Sequence, residues 1–324
     1  MTPPKTESVS LSIIIATKDR FDHLRNCIDS ILKQTVRPDE VIIVDGSTQS
    51  ELRDPIEKLF TGASKGMLKY VKTKPWLTAQ NNLGAHESRG DLLTFLDDDT
   101  ILDGLYVENV KKFFSDHHEE NIGALSCKIL DPSAQSGTSK PRLSMGNILS
   151  KIFLLQSTGN GNFRLSGLPT LIDQNCTEVK KVEFVYGGNA TYQRRVFEEF
   201  KFDEELPTGF NLSDDDIAYR VSRKFQNYWT PNAFLYHKSH YVNNDRFSKS
   251  RSFIICHFYL KMKNYPRDLA HTAAFYWSVV GRIALEALIG LKSGNFSGLR
   301  GTFSGLGAVW FHGAHRPRAK TQTV

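Results

Sequence analysis

Leu92-Leu93-Thr94-Phe95-Leu96-Asp97-Asp98-Asp99-Thr100 carries the chain from a mostly apolar run straight into three consecutive carboxylates. The apolar half predicts a buried strand, and three adjacent anions repel one another unless positive charge sits among them. A divalent cation meets that need. If the strand reaches the acids, its period of two places Asp97 and Asp99 on one face and turns Asp98 away, so the outer pair can share one ion. Oxygen ligands of this kind suit Mg2+ or Mn2+. The competing reading makes Asp99 or Thr100 the cap of a following helix, its acids complementing the dipole.

Upstream, Val9 to Ala16 is β-branched and almost wholly apolar, as a strand buried on both faces would be. Leu24, Cys27, Ile28, Ile31 and Leu32 then recur at helical spacing. Val41 to Val44 forms the next strand and ends in Asp45-Gly46-Ser47. Ligands of open α/β sheets bind at the carboxyl ends of strands, so Asp45 is either a nucleoside contact or a turn aspartate before glycine. Leu68 to Val71 reads as a third strand and Leu77 to Ser88 as a helix broken by Gly90. This alternation predicts a mostly parallel sheet with helices packed on it. Neither G-x-G-x-x-G nor G-x-x-x-x-G-K-[ST] occurs, which removes support from a dinucleotide fold and from a P-loop.

Downstream, Leu105, Val107, Val110, Phe113 and Phe114 mark a helix, and Ile122 to Leu130 holds a strand. Residues 131–177 are rich in Ser, Gly, Asn and Pro and read as an active-site flap with one helix near Ile148 to Leu155. Val182 to Tyr186 reads as a strand ending in Gly187-Gly188-Asn189. Asn189 there either offers its amide to a sugar or phosphate or sits in a glycine bulge. Ser213-Asp214-Asp215-Asp216 opens a further helix, with Ser213 and Asp216 at capping-box spacing. Capping needs only some of these acids, so one is available as a general base. His237 and His240 follow a strand from Ala233 to Tyr236. His237 is either a third metal ligand or diphosphate contact, or a packed imidazole.

Length and a hydrophobic content of 40% allow a full α/β core, and a net charge of +6 falls short of a nucleic-acid binder's footprint. Cys27, Cys127, Cys176 and Cys256 form no C-x-x-C pair, against both zinc and a disulfide framework. Met1 to Ser10 lacks the apolar core of a signal peptide, so the N-terminal half is expected in the cytosol. The last eighty or so residues change character: basic and aromatic residues interleave, and Ala273 to Leu291 is apolar apart from Arg282 and Glu286. Mid-span charge disfavours crossing a bilayer, so this segment reads either as a helix lying in the membrane interface or as an ordinary packed helix. Arg316, Arg318 and Lys320 in the tail suit an anionic cytoplasmic leaflet. The expected divisions are a disordered 1–8, a nucleotide-binding half at 9–130, a flap and acceptor half at 131–240, and a helical, membrane-peripheral 241–324.

Several pieces, in this order and at these distances, resemble the family 2 glycosyltransferases of the GT-A fold, here of the bacterial polysaccharide type. They are Ser12 to Arg20, Val44-Asp45-Gly46-Ser47, Asn82-Leu83-Gly84, Phe95 to Asp99, Gly188-Asn189 and Asp214 to Arg220. The resemblance implies a GT-A domain, a Rossmann-like mostly parallel sheet flanked by helices, with a C-terminal helical, membrane-associated extension. It implies inverting transfer of a sugar from a nucleotide diphosphate donor to a lipid-linked or polysaccharide acceptor, with Mg2+ or Mn2+ as cofactor, at the inner face of the cell membrane. On it, Thr17, Asp45, Asn82, Asp97, Asp98 and Asn189 serve the donor, Asp97 and Asp99 the cation, and Asp214 the catalytic base. Ser213 stands where many relatives carry Glu, which leaves Asp215 and Asp216 as alternative bases, and Asn81 stands where many carry Arg. Two rival readings are a catalytically silent domain of the same fold and a sugar nucleotidyltransferase. The second expects a glycine-rich basic loop that Ala16-Thr17-Lys18-Asp19-Arg20 does not provide.

Overall fold

The computed structural model describes residues 9–48, 52–130, 145–209, 211–237 and 245–313. Its elements begin β1 (Leu11–Thr17), α1 (Phe21–Leu32), β2 (Glu40–Asp45), α2 (Arg53–Glu57), β3 (Leu68–Lys72), α3 (Leu77–Glu87), β4 (Leu92–Asp97), β5 (Thr100–Leu102), α4 (Tyr106–Asp116) and β6 (Ile122–Leu130). They continue α5 (Met145–Ile152), β7 (Ser157–Gly159), β8 (Thr170–Ile172), β9 (Lys180–Val182), β10 (Asn189–Gln193), α6 (Val196–Glu199), α7 (Ser213–Ser222), β11 (Gln226–His237), α8 (Arg246–Lys263), α9 (Leu269–Ser293) and α10 (Ser297–His312). Two compact units emerge, one of residues 1–136, 174–202 and 221–239, the other of 137–173, 203–220 and 240–324.

The first unit is built on a sheet ordered β3-β2-β1-β4-β10-β6-β11-β5, with β9 also on β11. β3, β2, β1 and β4 run parallel, as continuous apolar strands buried on both faces predict. β10 is antiparallel to β4 and β6, and β5 and β9 are antiparallel to β11. The sheet is therefore mixed where a mostly parallel one was expected. The apolar faces of α1 and α4 join the strands in one core that includes Leu24, Ile28, Ile31, Val107, Val110 and Phe114. Helix α3 has no such apolar stripe and instead approaches β1 closely: a Cβ on Gly84 would lie 2.3 Å from Ile14 Cγ2.

Three expectations shift. Strand β4 ends at Asp97, and Thr100 opens β5 antiparallel to β11, so the acids lie in a turn between strands and do not cap a helix. The strand expected at Val182 to Tyr186 is β9 at Lys180–Val182, while a central strand, β10, begins at Asn189. Polar residues disguised β10: the Thr191 and Thr94 hydroxyls pair across strands at 2.9 Å, so both are buried satisfied. Strand β11 is twelve residues long, not four, and is irregular: Thr230 faces Cys127 but Phe234 faces Lys128, leaving three extra residues on β11.

In the second unit α5 spans Met145–Ile152, three residues earlier than expected, and β7 pairs with β8 in parallel. Residues 131–144 of the expected flap, residues 1–8, His240 and the basic tail at Arg316, Arg318 and Lys320 lie outside the described residues. Helices α8, α9 and α10 share a core of Ile254, Ile255, Phe258, Phe275, Val279, Leu306 and Val309. Gly301 and Gly305 bring α10 onto the backbone of α8, where a Cβ would meet the Phe247 and Arg251 carbonyl oxygens at 2.2 and 2.8 Å. Glu286, buried on α9, takes both Arg282 one turn before it (2.9 Å) and Arg246 of α8 (2.8 Å). The two charges of the apolar segment thus pair with one another inside the helix packing.

Candidate functional site

Register sets the carboxyl ends of four parallel strands in a row, with Lys72 opposite Asp45, Asp45 opposite Thr17, and Ala16 opposite Asp97. Thr17 is therefore beside the acids and donates its hydroxyl to Asp98 Oδ2 at 2.8 Å. Arg20 reaches Asp98 at 3.0 Å and Asp99 at 2.6 Å. From the far side of the sequence, β11 pairs His237 opposite Thr100, which brings the imidazole Nε2 to 3.1 Å from Asp99 and 4.0 Å from Asp97. The Asp97 and Asp99 carboxylates and the His237 ring each offer one atom, all within 4.8 Å of one another. Asp98 turns away to Thr17 and Arg20, as expected, although the turn and not the strand period directs it.

The electrostatics separate the three acids. Burial pushes the Asp98 carboxyl up to about 6 despite the Arg20 guanidinium and the Thr17 hydroxyl. Burial also opposes ionisation of Asp99, but hydrogen bonds from His237 and Arg20 outweigh it and hold that carboxyl well below the usual range. The Asp99 hydrogen bond raises His237 in turn. Asp97 is the open member, its side chain 47% exposed, and the backbone of Gly188 passes so close that a Cβ there would lie 2.1 Å from Asp97 Oδ2. Only glycine fits. Three carboxylates against one guanidinium leave excess negative charge, and two oxygens plus one imidazole nitrogen form a donor set that fits a divalent cation.

Other expected contacts have different employment. Asp45 is fully buried and accepts from the Ser47 backbone, the Tyr70 hydroxyl and Lys72 Nζ at 2.9 Å. Burial disfavours its charge, yet the bonds from Ser47, Tyr70 and Lys72 prevail and lower its pKa. The exposed partner is Lys72, 39% open, which also donates to the Ser47 carbonyl. Asn82 spends its amide on both backbone groups of Phe202, at 2.9 Å each. Asn189, expected at the ligand, is 1% exposed: it accepts from Tyr106 and donates to the Cys127 carbonyl, so it holds the sheet together instead. Sequence reading assigned no role to Arg20, Lys72 or Gln80, whose amide ties the ends of β1 and β2 through Thr17 and Val44 carbonyls. Only strand pairing exposes those roles.

In the second unit the three acids of α7 also part company. Asp216 is fully buried and committed to Arg220 (2.6 Å), Lys263 (2.8 Å) and Asn264 (2.8 Å), rather than reaching back to Ser213. Asp215 is buried, and its Oδ1 has no hydrogen-bond partner among the described residues. Burial, then the charge of Asp214, pushes its carboxyl up to about 8, so it is neutral at pH 7. Asp214 alone of the three is half-buried.

A pH dependence of stability follows for Asp215. Its pKa is raised in the folded chain from 3.8 to about 8, so between those values the folded state binds the extra proton and stability falls as pH rises. Asp215→Asn removes that loss. Its melting temperature is expected to exceed wild type by several degrees or more at pH 8, at roughly 2–4 °C per kcal/mol for a domain of this size, and to converge with it only below the unfolded pKa of 3.8. Thermal denaturation across that range checks the slope, and a difference independent of pH would contradict a neutral buried acid.

Residues 12–200 match the family described as glycosyl transferase family 2. The chain belongs to that family. Among curated proteins, it is 25% identical over 202 residues to glycosyltransferase GlyA of Streptococcus pneumoniae, covering 60% of this chain and 26% of that one. It is 32% identical over 133 residues to the O-antigen biosynthesis protein RfbC of Myxococcus xanthus, covering 40% of this chain and 10% of that one. The chain thus spans about a quarter of one relative's length and a tenth of the other's. Among solved structures, the mannosyltransferase PcManGT of Pyrobaculum calidifontis, in complex with GDP-Man and Mn2+, superposes with a TM-score of 0.57 at 14% identity. That match covers 94% of this chain and 88% of the other, and it bears out the GT-A fold with a C-terminal helical extension.

Proposed function

We propose that this family 2 chain is an inverting glycosyltransferase, moving a sugar from a nucleotide diphosphate sugar to a hydroxyl of a lipid-linked glycan or polysaccharide. The observation that carries the reading is the cluster of Asp97, Asp99 and His237 at the carboxyl end of β4, where a nucleotide's phosphates reach the strand ends. The GDP-Man and Mn2+ of the mannosyltransferase and the O-antigen role of the Myxococcus relative support the donor class and the acceptor class. When bound by Asp97, Asp99 and His237, a divalent cation supplies positive charge against the charge developing on the departing diphosphate. An imidazole among the ligands favours Mn2+ over Mg2+, which prefers oxygen throughout.

The residues of the chain divide the remaining work. Thr17 and the Asp45–Lys72 pair face the nucleoside, with Lys72 as the accessible donor and Asp45 fixing it. Arg20, itself held by Asp98, keeps Asp99 ionised and aimed. Asp214 takes the acceptor hydroxyl's proton while that oxygen bonds to the anomeric carbon and the bond to the diphosphate breaks on the opposite side, so one displacement inverts the carbon. Asp216 is spent on Arg220, Lys263 and Asn264, and Asp215 holds a proton at pH 7, which favours Asp214 among the three. The setting is the cytoplasmic face of a membrane, with the C-terminal helices peripheral to it.

Thermal shift with UDP, GDP, CDP and dTDP, each with and without Mn2+, tests the site. One nucleotide is expected to stabilise the chain in a metal-dependent way, by about 2.7 kcal/mol at a hundredfold excess over Kd. No metal-linked shift with any of the four would overturn the reading.

A further inference from the structure

Charge is divided unevenly along this chain. Residues 245–324 hold twelve Lys and Arg against three acids, a net +9, while residues 1–244 hold 29 against 32, a net −3. Two of the three acids, Asp245 and Asp268, are spent as N-caps of α8 and α9, accepting from Ser248 and His271. The third, Glu286, is buried between two arginines.

Helix α9 presents an exposed apolar stripe on one side, where Trp277 also packs on Phe153 and donates to the Ile152 carbonyl, and the Arg282–Glu286 pair on the other. At about 100° per residue, Tyr276, Trp277, Val280 and Leu291 fall within one arc of roughly 100°, and Arg282 and Glu286 lie on the other side of the helix. Those four side chains are 50%, 46%, 50% and 74% exposed. The helix is 25 residues long and its most apolar 18-residue stretch has a mean hydropathy of 1.4, long and apolar enough by composition to cross a bilayer. Its inner side is nevertheless occupied, because Glu286 and Arg282 are tied to Arg246 and Ser250 of α8. Helix α10 repeats the arrangement. Its glycine side presses on α8, while Phe303 and Trp310 stand exposed at i and i+7, with Arg300 one turn before Phe303 and no acid anywhere on the helix.

We propose that the exposed faces of α9 and α10 dock on an anionic lipid bilayer, with α9 lying along its surface. The inference rests on the proposed membrane-peripheral setting and names the face and the lipid chemistry. Exposed tryptophan and tyrosine rings suit the headgroup boundary, and aliphatic side chains between them enter the acyl edge. The surplus of arginine and lysine selects anionic headgroups over zwitterionic ones, each basic residue near the surface adding about fivefold to partitioning at roughly 1 kcal/mol. A second copy of the chain carries the same positive charge and would be repelled there.

Flotation of the full chain with phosphatidylcholine vesicles, with and without phosphatidylglycerol, tests the proposal. Binding is expected only with phosphatidylglycerol, weakened by high salt, and reduced about tenfold or more in Val280→Ser/Leu291→Ser/Phe303→Ser. The variant should keep the wild-type melting temperature and the Mn2+-linked nucleotide shift. Absence of flotation, flotation unchanged in the variant, or a dimer in sedimentation that the variant dissolves would each overturn the proposal. The nucleotide shift is read without lipid, so failure of vesicle binding with that shift intact sinks the membrane face alone. Loss of the shift with vesicle binding intact sinks the transferase reading alone.

Discussion

Asp214→Asn is expected to lower turnover by about 10²–10⁴-fold, the usual worth of a positioned general base, while donor KM stays within about twofold. The substitution keeps the size and shape of the side chain and removes only its ability to accept a proton. Its neighbours provide the contrast. Asp215 is already neutral at pH 7, so Asp215→Asn should leave turnover nearly unchanged. Asp216→Asn weakens a buried clamp on Arg220 and Lys263, and its losses should appear first as a lower melting temperature. Steady-state kinetics on the three variants, with melting curves alongside, separates these roles. Full turnover in Asp214→Asn would move the base elsewhere.

Asp97→Ala comes second in size. Asp97 is the most open of the three proposed ligands, so its loss is expected to change the metal-free melting temperature little, within the ±0.5 kcal/mol usual for surface substitutions. Transfer should fall by at least about 10²-fold, because the charge on the departing diphosphate goes uncompensated. Adding Asp99→Ala should abolish the Mn2+-linked nucleotide shift altogether. Single variants with reduced but measurable activity at raised Mn2+ would place Asp97 among the ligands. Activity indifferent to metal in wild type would remove the cation from the reaction.

Much of this was legible in the residues, for identifiable reasons. Strands β1, β2 and β4 are continuous apolar runs that announce burial on both faces, and α1 and α4 repeat at helical spacing. The acids announced themselves by like-charge crowding. What the sequence concealed depends on partners far along the chain. β10 reads as polar because its threonine and asparagine are satisfied only by Thr94, Tyr106 and Cys127. The pairing of Asp45 with Lys72 depends on the register of β2 with β3, and the commitment of Asp216 depends on Lys263 and Asn264, more than forty residues on. His237 was one of two neighbouring histidines, and only pairing of β11 with β5 distinguishes it.

The irregularity in β11 has its own implication for how this lineage tolerates insertions and deletions. Side chains alternate along a strand, so the three extra residues between Thr230 and Phe234 decide which way His237 points six positions after the shift begins. Deleting one of them would turn the histidine from the acids to the opposite side if the strand beyond slipped its register by one residue to close the gap. Length is usually free to drift in surface connections and conserved inside sheets. Here a stretch of sheet behaves as a spacer whose residue count sets where the histidine stands.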